Sequence, residues 1–214
     1  MTLNMAELNA AEKQHWLLSA VAPRPVALAS TVSRDGLVNL SPFSFFNVFS
    51  SEPPVLIFSP SLRIRDGSIK HTLLNMMEVP EVAISIVDIS ILARVNIASA
   101  EYPRHENEFD YAGFTEMSSS RIQPPFVKES RVSMECRMME IKPMGKQGGA
   151  GNLVICEVLV MHVCESVLDE HQKIDPGKFR QVARLGGDWY CRMEESVLFK
   201  LPKPRGLPEK WKKR

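Results

Sequence analysis

The stretch Asn39-Leu-Ser-Pro-Phe-Ser-Phe-Phe-Asn47 decides how this chain is read. Three phenylalanines, two serines and two asparagines crowd into nine positions around Pro42. A core strand does not spend so many hydrogen-bonding side chains in one place, and a surface loop rarely spends three phenylalanines. Two readings stand side by side. Flat apolar surface beside hydroxyls and amides suits a flat, partly polar ligand. Equally, the stretch can be a strand edge whose phenylalanines are core and whose serines cap turns.

Upstream, Pro25–Ser33 (PVALASTVS) is rich in small and β-branched residues and reads as a strand. Arg34-Asp35-Gly36 makes a hairpin turn, and Leu37–Ser41 returns as a second strand. Downstream, Pro53-Pro54 opens a third strand, Val55–Ser59. Three antiparallel strands this early argue against a doubly wound parallel sheet. The N-terminal segment Met5–Val21 is expected to be an amphipathic helix packed across the sheet, with Asn4 and Glu7 at its cap.

Asp66–Met77 is expected to be a helix capped by Asp66 or Ser68. Lys70 and Thr72 then fall in its first turns, where open N–H groups favour an anion. Lys70 is either part of a phosphate site or a solvated helical lysine. Glu81–Val87 reads as a strand and Asp88–Ala100 as a second helix. The acid-rich run Glu101–Gly113 reads as a solvated excursion, and His105 has no second histidine at ligand spacing, so no metal is assigned.

Arg131–Lys142 alternates apolar and polar residues and reads as a half-buried strand. Gly145–Gly151 lacks the GxxxxGK[ST] spacing and reads as a hairpin loop. Asn152–Glu165 is apolar on both faces, with His162 following Val154, Cys156, Val158 and Val160 along one of them. That histidine is either a satisfied core residue or part of a site. Ala183–Tyr190 joins a glycine turn to two aromatics.

Composition bounds the rest. The chain has 214 residues, enough for one sizeable domain, with 44% apolar and 24% charged residues and a net charge of +1. Such a charge recruits neither nucleic acid nor a membrane surface. The four cysteines show no CxxC spacing, and three lie in apolar runs where a buried free thiol is expected, in keeping with a reducing cytoplasm. No signal peptide or membrane-spanning run is evident. Residues 200–214 carry seven Lys or Arg and read as a basic Pro/Lys-rich tail after a domain spanning residues 1–199.

Taken in order, several short elements resemble one family. They are Arg24–Thr31, Asp35-Gly36, Asn39–Asn47, Pro53-Pro54, Lys70-His-Thr72, Glu157-Val158 with His162, and Arg184–Tyr190. The set resembles the flavin reductase-like, FMN-binding split β-barrel family, over roughly residues 15–195. The resemblance implies a mainly β fold: a six- or seven-stranded antiparallel barrel with Greek-key connections and flanking helices, usually dimeric. It implies that Ala29, Ser30 and Thr31 lie along the flavin and that Ser44, Phe45, Phe46 and Asn47 contact its ring and ribityl chain. It implies that Ser59, Lys70 and Thr72 hold the phosphate, with Arg24 reaching the anion. His162, in a catalytic role, and Tyr190 are implied near the open flavin face. Family members often carry an acid between the lysine and the threonine, where this chain has His71.

The activity implied is NAD(P)H:flavin oxidoreduction, with FMN, or alternatively FAD, as cofactor and reduced flavin passed to a partner oxygenase or acceptor. No GxGxxG motif follows a strand, so a nicotinamide co-substrate would have to stack directly on the flavin. A flavin-binding electron carrier without NAD(P)H turnover is the second hypothesis, since the same pocket serves both. A barrel holding haem is a third, for which no histidine or cysteine is clearly presented as an axial ligand.

Overall fold

The computed structural model of the chain describes residues 1–204. The N-terminal half holds β1 (Arg24–Pro25), β2 (Ala27–Val32), β3 (Val38–Phe43), β4 (Phe46–Ser51), β5 (Pro54–Phe58) and β6 (Glu81–Ile86). The C-terminal half holds β7 (Glu116–Met117), β8 (Phe126–Val127), β9 (Val132–Pro143), β10 (Asn152–Val163), β11 (Val182–Arg184) and β12 (Tyr190–Arg192). The helices are α1 (Ala10–Ala20), α2 (His71–Glu78), α3 (Leu92–Ala98), α4 (Glu108–Ala112) and α5 (Pro176–Phe179). The basic tail falls mostly outside the described residues.

Seven strands form one antiparallel sheet in the order β3-β2-β6-β9-β10-β5-β4. Its two outermost strands, β3 and β4, are joined by only Ser44 and Phe45. Six spacings of about 4.8 Å would separate them by about 29 Å in a flat sheet. Three Cα steps span at most about 11 Å. The sheet must therefore curl until its edges nearly meet, leaving a barrel that is open between β3 and β4. The expected mainly β barrel is thus present, with seven strands.

Two apolar clusters flank this wall. Phe43, Phe46, Phe58, Leu73, Met76, Ile84, Met134, Val154 and Cys156 belong to one, centred on the barrel interior. Leu28, Leu40, Val95, Phe109 and Phe114 belong to the other, beneath α3 and α4 on the opposite face of β2 and β3. Residue parity along β2 sends Ala27 and Ala29 into the first and Leu28 into the second.

Several sequence expectations are corrected. The decisive stretch is more than a single strand edge: it ends β3, turns at Ser44-Phe45 and begins β4, with Phe43 and Phe46 in the core. Its polar side chains hid the second strand. The N-terminal helix starts at Ala10, not Met5, because Asn9 accepts the Glu12 N–H at 3.0 Å while the Glu12 carboxylate accepts the Asn9 N–H at 2.8 Å. None of its residues is buried, so it does not pack across the sheet as expected.

The second helix begins at His71 rather than near Asp66. Asp66 instead closes a tight turn, accepting from the Ser68 N–H at 2.9 Å and hydroxyl at 2.6 Å. The helix expected over Asp88–Ala100 is confined to Leu92–Ala98. Asp88 turns inward to pair with Arg131 at 2.7 Å. Within the run expected to be solvated, Glu108 is buried and accepts the Leu40 N–H at 2.8 Å. It thereby satisfies a donor on the β3 edge, which has no strand partner there. Cys136 and Cys156 are buried free thiols, with burial pushing Cys156 up to about 12, whereas Cys164 is exposed, against expectation.

The β9–β10 hairpin is interrupted by register shifts at Ile155/Cys156 and Val158/Val160. A bulge reverses the in–out alternation beyond it. Val154, Cys156 and Val158 face the barrel, yet so does Val163. His162 therefore points outward, not along the Val154 face as simple alternation predicts. Leu153 and Ile155, on the outer face, are only half covered.

Candidate functional site

The barrel opening creates a cleft. The corner carbonyl of Phe45 accepts the Ser59 N–H at 2.9 Å, tying β4's start to the end of β5. Asn152 Nδ2 donates to the Pro60 carbonyl at 2.9 Å, and the Leu62 N–H donates to Ala150 O at 2.9 Å. These bonds hold the segment from Ser59 to Leu62 as a floor. Above it, Gln14, Leu18, Pro42, Phe43, Ser44, Phe45, Ser59, Ser61, Lys70 and Arg184 line a cavity of about 180 Å³. No acidic residue lines it among the described residues.

Two cations line the cavity, Lys70 from just before α2 and Arg184 from the end of β11. The Lys70 ammonium lies 5.5 Å from the Phe43 ring centre, and burial, then Arg63, pull it below its ordinary pKa, with Glu101 opposing. Arg184 stands over Tyr190 at 5.5 Å and directly opposite Arg24 in the β1–β11 pair. A desolvated cation without a carboxylate partner costs stability unless an anion joins it.

The cleft continues on both sides. Past Lys70, a smaller cavity of about 50 Å³ is lined by Asn39, Ser41, Arg63, His71, Ser99, Glu101, Tyr102 and Glu108. Past Phe45, an apolar lobe of about 510 Å³ runs between α1 and the β9–β10 loop, against Leu17, Ile64 and Met144. Gly148 is required there, because a Cβ would sit 2.6 Å from the Ile64 carbonyl oxygen.

Only some sequence-predicted residues share the cleft. Ser44, Phe45, Ser59 and Lys70 do. Thr72 is buried behind it, its hydroxyl accepting from Asn39 Nδ2 at 2.9 Å. Ala29, Ser30 and Thr31 are all buried within β2 and none lines the cleft. Alternation turns Ser30 away from its neighbours, and Thr31 instead accepts from Asn75 Nδ2 at 3.3 Å. Phe46 belongs to the barrel core, and Asn47 is exposed, its Oδ1 accepting from the Val48 N–H.

Arg24 is a buttress, not an anion ligand. Its Nη1 donates to Leu18 O at 2.5 Å and Val21 O at 2.6 Å, and its Nη2 to Leu185 O at 2.8 Å. Those carbonyls belong to the end of α1 and the segment after β11, so Arg24 ties these two segments together. Burial, then Arg184, lowers its pKa. Tyr190 does not line the cavity; its ring lies under the Arg184 guanidinium.

His162 lies far from this cluster in the same chain. Ten residues separate it from Asn152 beside the floor, roughly 30 Å along an extended strand. Its Nε2 is 2.7 Å from Glu135 Oε1, and its ring stacks on Phe126 at 4.5 Å. Glu135 also accepts the N–H groups of Ser120 and Arg121 at 2.8 and 2.7 Å. Burial would raise the Glu135 pKa, but these hydrogen bonds outweigh it and hold the carboxyl below its ordinary value. The geometry is that of a strap holding the segment before β8.

Sequence reading missed Arg184, Ser61 and Gln14 as lining residues. Arg184 stood beside a glycine turn and two aromatics, which was the available signal. Gln14 and Ser61 carry none, since they reach the cleft only through the placement of α1 and the floor.

Comparison with known proteins agrees with this architecture. Residues 19–183 match the flavin reductase like domain, and the chain belongs to that family. It is 36% identical over 206 residues to an uncharacterised protein of Halalkalibacterium halodurans, covering 95% of this chain and 97% of that one. Nitrilotriacetate monooxygenase component B from Bacillus cereus superposes with a TM-score of 0.87 at 30% identity, covering 94% of this chain and 98% of that chain. The 2-nitrobenzoate 2-nitroreductase NbaA of Pseudomonas fluorescens superposes at 0.85 with 26% identity, covering 98% and 99%. The fold is a split barrel of the flavin reductase type.

Proposed function

We propose that this chain binds FMN in the cleft at the barrel opening and reduces it with NAD(P)H, delivering electrons to a partner oxygenase or other acceptor. The observation that carries the reading is the pair Lys70 and Arg184, both lining a cleft that has no acidic residue among the described ones. A phosphate monoester supplies the missing negative charge. Ser44, Ser59 and Ser61 offer hydroxyl groups, and Pro42, Phe43 and Phe45 offer flat apolar surface. The adjoining apolar lobe shares Gln14, Leu18, Phe45 and Ser61 with the cleft, which suits a ligand that is anionic at one end and aromatic at the other.

A bound flavin supplies the redox chemistry, accepting an electron pair from a reduced nicotinamide and giving it to an acceptor. The protein's own work is to neutralise the phosphate through Lys70 and Arg184 and to keep water from the Phe45 side. Arg24 ties the end of α1 to the segment after β11 on the Arg184 side of the cleft. The likeness to a monooxygenase component supports an oxygenase as the acceptor's owner.

The assembly is a homodimer in this reading. Val48 and Phe49 on the edge strand β4 are each 65% exposed, and Leu153 and Ile155 leave the outer face of β10 half covered. An apolar strand edge left bare is a pairing hazard, which a second copy removes.

The test is an absorption spectrum of the purified chain mixed with FMN, before and after anaerobic NADH or NADPH. Bound oxidised flavin that bleaches with either nucleotide is the expected result. Bound flavin that only a second protein can reduce would make the chain an electron carrier, and no binding would reject the reading.

A further inference from the structure

The cavity beyond Lys70 carries a side chain that the flavin reading does not use. His71 is the first residue of α2 and lines that cavity together with Arg63 and Lys70. Arg63 is prepositioned, donating through Nη1 to Ser68 Oγ at 3.2 Å and to Ile69 O at 2.7 Å. Lys70 borders both cavities, so an anion held by Lys70 in the cleft is a near neighbour of His71.

We propose that His71 is a further ligand-binding residue of this cleft, taking up a proton when a phosphate-bearing ligand enters and pairing with it as an imidazolium. This rests on the flavin reading, since it concerns the same anion. The groups facing His71 come from three elements. Arg63 and Lys70 approach from the segment before α2, Arg104, Glu101 and Tyr102 from the segment after α3, and Glu108 from α4. Glu101 is already engaged by Arg65 at 2.6 Å and Arg63 at 3.5 Å, and Glu108 by the Leu40 N–H at 2.8 Å. Arg104 is likewise engaged by Glu78 at 2.9 Å, which leaves Lys70 as the facing cation without a salt-bridge partner among the described residues.

Without ligand, burial, then Arg63 and Arg104, lower the His71 pKa, while Glu101 opposes them, so the ring is neutral at neutral pH. A dianionic phosphate reverses the local field and raises that pKa. Binding then draws one proton from solvent onto the free ring nitrogen, and affinity strengthens as pH falls. Linkage of one proton permits at most a tenfold gain per pH unit.

The experiment measures FMN and riboflavin affinities of the full chain by flavin fluorescence from pH 8 to pH 7, where the FMN phosphate, with its second pKa at about 6, stays mostly dianionic. Wild type is expected to bind FMN about three- to fivefold more tightly at the lower pH. Riboflavin affinity should not change. His71→Asn should bind FMN with no such gain. As a second readout on wild type alone, calorimetry at pH 7 in two buffers of different ionisation enthalpy should show net proton uptake with FMN and none with riboflavin. FMN affinity that is flat with pH, an equal gain in His71→Asn, or no proton uptake by wild type overturns the role of His71 while leaving a Lys70-dependent FMN site intact. Failure of wild type to bind FMN overturns both.

Discussion

His162 Nε2 and Glu135 Oε1 lie 2.7 Å apart on the outer face of the β9–β10 hairpin, beyond the bulge that reverses strand alternation. Glu135 is fully buried and is tied by the same carboxylate to Ser120 and Arg121. The pair therefore anchors a chain segment, and the catalytic role implied for His162 by family resemblance has no support from its surroundings in this chain.

His162→Ala should accordingly lower stability by about 1–3 kcal/mol, the cost of leaving a buried charged acceptor short of a partner. Flavin reduction per bound FMN should stay within about twofold of wild type. Melting curves beside anaerobic stopped-flow traces decide the matter. A large fall in reduction rate with unchanged melting temperature would restore the histidine to the reaction.

Glu135 also sets an acid limit. Its folded pKa lies below the ordinary carboxylate value, so its contribution is present above the unfolded pKa and is lost as pH falls through the folded one. Glu135→Gln keeps an acceptor but removes the titration. Its deficit in melting temperature against wild type should be largest near neutral pH and shrink toward pH 3. A deficit constant with pH would remove Glu135 from the acid limit.

Glu108 behaves in the opposite sense. Burial raises its pKa, against the opposing hydrogen bond from the Leu40 N–H. Its protonated form is thus favoured in the fold, and stability drains away as pH rises from the unfolded pKa through the folded one. Glu108→Gln preserves the bond to Leu40 without a buried charge. It should melt higher than wild type at pH 8, by the equivalent of about 1 kcal/mol, and show little difference at pH 4.5. Equal melting at both values would contradict this.

The barrel was legible because its strands are long or strongly β-branched and its hairpins are marked by Asp35-Gly36 and the glycines of 145–151. The site was legible in part. Ser44 and Phe45 sit at a two-residue corner within the stretch that decided the reading, while Ser59, bonded to that corner, was reached only through the family resemblance. Ala29, Ser30 and Thr31 matched a family pattern, but strand alternation and full burial take their side chains out of the cleft. His162 was misplaced by one bulge, which no periodicity in the sequence announces. Arg24 had the right charge, and only tertiary structure reveals that three main-chain carbonyls already occupy it.

Arg24 carries its own prediction. Arg24→Ala removes the donors that join α1 to the segment after β11 and leaves the Leu18, Val21 and Leu185 carbonyls to water. Hydrogen bonds to a charged group are worth about 1.5–3 kcal/mol each in favourable cases, so a total loss of about 3 kcal/mol is expected after relaxation. Hydrogen exchange should rise first in α1, before the barrel strands. Uniform exchange across α1 and β9 would mean that Arg24 does not hold the helix.

The central claim is that the acid-free cleft between Lys70 and Arg184 is a phosphate-bearing flavin site. The most direct measurement compares FMN with riboflavin, which differ only in the phosphate, on wild type and Lys70→Ala at one pH and ionic strength. Loss of one charge-assisted contact predicts that Lys70→Ala weakens FMN by about ten- to a hundredfold, and riboflavin by less than about threefold. Equal losses for the two flavins, or none for FMN, would contradict the account.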